Sequence, residues 1–232
     1  MPCGRVAGPT AASRPGSSIS TRIVIRPLGE ALSRGLEIDR IALRQGMDDG
    51  EAKARAGHNT IAGMRQAAQG AASLMAADDG PRIAALAFEG WDTHANEGGA
   101  SGRLAQLLGG LDGAFEEIQQ GLGPLWKDTA VVAVTEFGRT ARINGTTGTD
   151  HGTGTIAFLA GGAIAGGRVI ADWPGLKDTQ LYQNRDLAPT ADLRAALKGV
   201  LTDHLGLSTA ALGDAVFPES SHVKSMKGLV AA

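Results

Sequence analysis

The stretch "RIAALAFEGWDTH", residues 82–94, decides how this chain is read. Its first eight residues form a short apolar run of strand length, ending in Phe88 and Glu89. A strand that is apolar at consecutive positions is covered on both faces, as in a parallel sheet. Its last positions place Asp92 and His94 where that strand runs out. Taken alone, Asp-x-His after a strand is an ordinary hydrogen-bonded loop. Segments further along the chain change its weight.

Downstream, Leu104, Leu107, Leu108, Leu111, Phe115, Ile118 and Leu122 recur at helical spacing, which predicts a helix over 101–121. "GLGP" ends it, with Gly after the last turn and Pro beyond. A second buried strand is expected at "TAVVAVTEF", 129–137, rich in β-branched residues. Strand, long helical crossover, strand is a βαβ unit, so the two strands are expected to be parallel neighbours. After a polar loop at 138–154 come "TIAFLAGG", a third strand candidate, and "GRVIAD", a short fourth. Thr190 is placed to cap a helix with inner face Leu193, Leu197, Val200 and Leu201, closed by Gly206.

Upstream, Ile61, Met64, Ala68, Ala71 and Met75 make one stripe of a helix capped by Asn59 or Thr60. "DDGP" at 78–81 breaks it. A further helix fits Glu30 to Ala56. The first 29 residues hold four Arg, no acid, and many Ser, Gly and Pro, a disordered or leader-like composition. They lack the apolar core of a secretory signal. The expected division is a leader at 1–29, a helical segment at 30–80, an α/β domain at 81–218 and a tail at 219–232.

Composition bounds the chemistry. The net charge of −2 points to neither nucleic acid nor an anionic membrane as partner. No apolar run approaches the roughly 20 residues that span a bilayer. Cys3 is the only cysteine, so any metal must be held by His, Asp, Glu and hydroxyls. The 34 glycines supply turns and close backbone approaches.

In open parallel sheets, ligands bind beyond the carboxyl ends of the strands. Asp92, Thr93 and His94 follow the first expected strand. Glu136, Arg139 and Thr140 follow the second. "NGTTGTDHGTG" leads into the third with Asn144, Asp150 and His151. If these segments share one rim, Asp92, Glu136 and Asp150 with His94 and His151 form an oxygen and nitrogen ligand set for one or two divalent cations. Mixed Asp and His donors suit zinc or manganese better than magnesium or calcium. His58, His204 and His222 lack such company. There is no G-x-S-x-G elbow and no Walker motif. "GTGTIA" at 152–157 precedes a strand instead of opening a helix, which removes it as a dinucleotide fingerprint.

"GWDTH", "VVAVTEFGRT", "NGTTGTDHGTG", "GGRVIADWPGL" and "RDLAPTADLR", in that order, resemble the bacterial family filed as a domain of unknown function, number 1501. The resemblance runs from about Pro81 to Pro218. That family is regarded as a relative of the alkaline phosphatase and sulfatase superfamily. The resemblance implies an α/β fold with a mostly parallel central sheet flanked by helices, and a dinuclear metal site that hydrolyses phosphate or sulfate esters of small molecules or polymers. It implies Asp92 and His94 on one metal and Asp150 and His151 as the "DHG" ligands, with Glu136 a competing counterpart. Arg139 would neutralise a substrate oxyanion, and a Ser or Thr would be the nucleophile. Relatives are often exported. The first 80 residues offer no apolar strand ending in Asp and followed by a Ser or Thr at a helix start. The chain is therefore expected to carry the C-terminal half of such a domain, N-terminally incomplete and inactive if the nucleophile is missing. The alternative expectation is a non-catalytic binding or structural protein that keeps this half of the fold.

Overall fold

The structure is a computed structural model and describes residues 61–231. The expected leader and the helix at 30–56 lie outside the described residues.

Helix α1 spans Ile61–Ala76 and helix α2 spans Arg103–Leu122. The first is rich in Ala, Gln and Met and the second in Leu, Gln and Glu, residues that lose little freedom in a helix. Pro81 stops the first from continuing. The second ends at Gly123, whose φ of 51° no other residue type adopts as easily and whose N–H reaches the Gln119 carbonyl. Of the expected stripe on α2, Leu107 and Leu122 are buried, Leu104, Leu111, Phe115 and Ile118 are half-buried and Leu108 stays exposed; Gly110, Gly113 and Ala114 are buried beside them. On α1 the buried positions are Gly63, Met64, Ala68 and Ala72. The two helices approach closely because small residues face each other. A Cβ on Gly121 would lie 2.6 Å from that of Ala72. Ile61 and Met64 meet Gly110, Arg65 pairs with Glu116 and Glu117 at 2.9 and 2.7 Å, and Ala72 meets Gly121. Contacts advance in the same direction on both helices, so they run parallel.

Parallel neighbours need a long connection, and residues 77–102 supply it. This connector carries "RIAALAFEGWDTH". Phe88 and Trp91 pack on the cluster of Met64, Ala68, Leu107 and Ala114 between the helices. Burying a side chain the size of Met64 is worth about 1.5–3 kcal/mol. That core anchors the chain one residue before Asp92.

Beyond α2 come four short strands: β1 Val131–Ala133, β2 Gly138–Arg139, β3 His151–Gly152 and β4 Phe158–Ala160. They form two separate two-stranded sheets, β1 with β4 and β2 with β3, both antiparallel. The expected mostly parallel central sheet is therefore overturned. Residues 82–89 form neither strand nor helix, and Ile83 is 73% exposed. A continuous apolar run shows what a strand needs on its faces. It does not supply the backbone partner that a strand needs at its edges. The expected strand at 129–137 shortens to β1, whose neighbour returns from the opposite direction after the β2–β3 pair. Antiparallel pairing needs only such a return, whereas a parallel pair needs a crossover and a second strand. "GRVIAD" forms no strand either, and Val169 is 90% exposed.

Helix α3 spans Leu193–Asp203. Its cap is Asp192, two residues after the expected Thr190: the Asp192 carboxylate accepts from the Arg194 N–H at 2.8 Å. The stretch after Phe217 lies against this helix. Lys198, buried in spite of its charge, donates to the Ser220 and Val223 carbonyls at 2.6 and 3.1 Å. Among the described residues no helix is long and apolar enough to cross a membrane.

Candidate metal centre

Three segments meet at one exposed rim. In the first, Trp91 is held by the helix core and the Thr93 N–H reaches the Trp91 carbonyl at 2.9 Å. Thr93 is 2% exposed, so this residue turns inward. Asp92 and His94, on either side of it, project outward together.

The second and third segments are β2 and β3. Their register sets Arg139 directly opposite His151, and opposed residues of an antiparallel pair share a face. The loop between them returns along the first segment. Ala95 bridges to Thr147, and the Asn96 and Glu97 N–H groups donate to Thr146 and Thr147 carbonyls, both at 3.0 Å. Gly148 passes so close beneath the Thr93 and His94 backbone that any Cβ there would collide with both.

On this scaffold the Asp92 carboxylate becomes a focus. Its Oδ1 lies 2.8 Å from His151 Nε2, 2.9 Å from His94 Nε2 and 3.0 Å from Arg139 Nη1. The ligand atoms of Asp92, His94 and His151 all fall within 4.8 Å of one another. The hydrogen bond from His151 holds the Asp92 carboxyl below the usual range, helped by the charges of His94, His151 and Arg139 against a desolvation penalty. The side chains are about half exposed, at 51%, 46% and 55%, so the cluster opens to solvent.

Two imidazole nitrogens and one carboxylate oxygen are a donor set that can hold a divalent cation. Bonds of about 2.0–2.1 Å in tetrahedral geometry put ligand atoms about 3.3 Å apart. The Asp92 contacts to the two imidazoles would open by about half an ångström, and the two imidazole nitrogens, within 4.8 Å of each other, would draw together, a rearrangement open to half-exposed side chains. Three protein ligands with one side open is the pattern of zinc sites that work on a substrate, not of closed structural ones.

The other expected residues stand differently. Asp150 is outside the trio: its Oδ1 lies 3.4 Å from His94 Nδ1, on the other nitrogen of that ring. Its carboxyl is held below the usual range, chiefly by the Asn144 amide donating at 3.0 Å. Glu136 is exposed and has no ion pair or hydrogen bond among the described residues. Arg139 donates to the Trp91 and Thr149 carbonyls at 3.1 and 3.2 Å and to Thr93 Oγ1 at 3.2 Å. It ties the first segment to the third.

Two further side chains, Phe137 and Asn144, hold the cluster in place. Phe137 stacks on His151, ring centroids 4.8 Å apart and 12° from parallel, and the Arg139 guanidinium sits 5.2 Å from its centre. Within "TEFGRT" it reads as the end of a buried strand. Asn144 is a hub: its Oδ1 accepts from the Thr146 and Gly148 N–H groups, and its Nδ2 donates to the His94 carbonyl and to Asp150. The signal was there in "NGTTG", since Asn before Gly and Thr is a side-chain-closed turn.

No curated protein and no solved structure matches the chain. Residues 36–216 match the family described as "Protein of unknown function (DUF1501)". The match covers most of the sequence and includes every segment of the rim, and the chain belongs to that family.

Proposed function

We propose that Asp92, His94 and His151 bind one divalent cation, zinc or manganese in preference to magnesium or calcium, in a hydrolase-like domain of the phosphatase and sulfatase kind. The observation that carries this reading is the convergence of two imidazole nitrogens and one carboxylate oxygen on an open rim. A bound cation would supply Lewis-acid polarisation of an ester oxygen. The chain's own residues prepare that place. His151 and Arg139 keep Asp92 ionised, Phe137 steadies the His151 ring, and Arg139 sets a fixed positive charge where an anionic ester would lie. An open cleft of about 460 Å³ is lined by Asn96, Glu97, Ile143 and Thr149, on the same loop segments that carry the cluster, although none of the cluster's own side chains lines it.

One observation favours a second reading, metal binding without catalysis. Three hydroxyls of the rim segments are engaged: Thr93 Oγ1, on a buried side chain, accepts from Arg139, Thr149 Oγ1 donates to Glu97, and Thr146 Oγ1 donates to the His94 carbonyl. All three are tied into the scaffold and none is hydrogen-bonded to a cluster side chain that could take its proton.

Metal analysis of the purified chain tests the first part. The parent is expected to carry about one zinc or manganese, Asp92→Ala and His151→Ala to lose it, and Glu136→Ala to keep it. Unchanged metal in both ligand variants would sink the site. Turnover of aryl phosphate or sulfate esters tests the second. Activity abolished by a chelator and restored by zinc supports the hydrolase, while full metal loading with no turnover supports the binding protein.

A further inference from the structure

Asp150, expected among the metal ligands, and Asn144 both stand outside the donor trio, yet their geometry is specific. His94 points Nε2 at Asp92, into the cluster, and Nδ1 at Asp150, away from it. Asp150 Oδ1, the oxygen facing that ring, also accepts from Asn144 Nδ2. The same Nδ2 donates to the His94 backbone carbonyl at 2.9 Å. Asn144 therefore grips His94 twice, through the backbone and, by way of Asp150, through the side chain. Its own orientation is set by the Thr146 and Gly148 N–H groups, both donating to Oδ1 at 3.0 Å. The Asp150 backbone is fixed as well: its N–H donates to Thr140 Oγ1 at 3.1 Å, and its carbonyl accepts from the Thr140 N–H at 2.9 Å.

From this geometry we infer that Asp150 is a positioning residue and not a metal ligand, and that Asn144, Asp150 and His94 form a relay that presents His94 Nε2 to the cation. The inference rests on the metal-site reading above. A carboxylate on Nδ1 makes that nitrogen the proton-bearing one, which leaves the Nε2 lone pair free for a metal and stops the ring from turning. Asn144 matters because it has both a donor and an acceptor. The acceptor closes the loop on itself, and the donors reach across to Asp150 and His94. An aspartate in its place would have no donor and would repel Asp150.

The test is zinc affinity, by competition with a chromophoric chelator, in the full-length chain and its variants. Cobalt spectra report the ligand set, and thermal melting of the metal-free proteins reports the fold. Loss of a group that orients a metal ligand typically lowers affinity about 10–100-fold. Asp150→Ala and Asn144→Ala are each expected to fall in that range, with stoichiometry and cobalt band shape retained. Asp150→Asn, whose amide oxygen still accepts from Nδ1, should recover much of the loss. The deciding comparison is made in a His94→Cys background, which keeps a metal-binding atom but has no Nδ1 for Asp150 to orient, so Asp150→Ala should cost nothing further there. If Asp150→Ala still lowers affinity there, or alters the cobalt spectrum as ligand removal does, Asp150 acts directly and the relay is wrong. Unchanged affinity in Asp150→Ala overturns it too. A parent that binds no cation would overturn the metal site itself, a different result from either. If Asp150→Ala melts early, Asp150→Asn and Asn144→Ala carry the same comparison.

Discussion

At the scale of single residues, the guanidinium of Arg139 does what no other side chain could. It reaches two carbonyls, a buried hydroxyl and the Asp92 carboxylate at 3.0–3.2 Å. A lysine has the charge but not the planar fork. Arg139→Lys is therefore expected to lower stability by about 1–3 kcal/mol, since it leaves oxygens at a partly buried position unpaired. A shift of the denaturant midpoint measures this, and an unchanged midpoint would contradict the strut. "TEFGRT" shows the charge of Arg139 and hides the strut, because a sequence shows a residue's chemistry but not which carbonyls lie within its reach. Asp92, His94 and His151 were legible for the converse reason: imidazoles are scarce here, and a carboxylate stands beside each. Glu136 shared their composition, but nothing in the strand pattern told which way its side chain would turn.

At the scale of elements, α2 was legible almost to the residue, since seven apolar positions at helical spacing leave no other period to choose. Helix α3 was legible as an element but not at its start, where Asp192 and Thr190 are both good caps, nor on its inner face, since of Leu193, Leu197, Val200 and Leu201 only Val200 is buried and Leu193 is exposed. Asp192→Ala is expected to cost about 0.5–2 kcal/mol of stability, read from chemical denaturation. The effect should depend on pH. The Arg194 side chain, with its backbone N–H, holds the Asp192 carboxyl below its ordinary value. Its contribution is then complete above the unfolded carboxyl's pKa near 4 and is lost as pH falls through the lower folded value. Parent and variant should therefore converge in stability at strongly acid pH, and a gap that widened there would refute the assignment. The strands were the least legible elements. Residues 82–89 have a strand's composition, but a strand exists only where another backbone completes its ladder.

At the scale of the whole molecule, strand, helix, strand in sequence suggests a parallel unit that the topology does not contain. The parallel neighbours are instead the helices, and the site rides on the connection between them. The same rim also draws in β2 and β3, so a cation would clasp segments more than fifty residues apart. Ligand binding to the folded state alone adds about 2.7 kcal/mol at a hundredfold excess over Kd. Melting with zinc should therefore exceed melting with a chelator by several degrees in the parent and not in His151→Ala; equal melting in both would count against the clasp. The connector also bears on how the chain survives cutting. Arg82 opens a stretch with mostly exposed side chains and neither strand nor helix, the kind of site where a protease enters. A single tryptic cut after Arg82 would sever α1 from α2 along the chain but not in space, since the helices hold each other through Met64, Ala68, Leu107 and Ala114. Every residue of the cluster, together with Phe137, Arg139, Asn144 and Asp150, lies on the far side of that cut. The nicked protein should stay in one piece and bind zinc as tightly as the uncut chain.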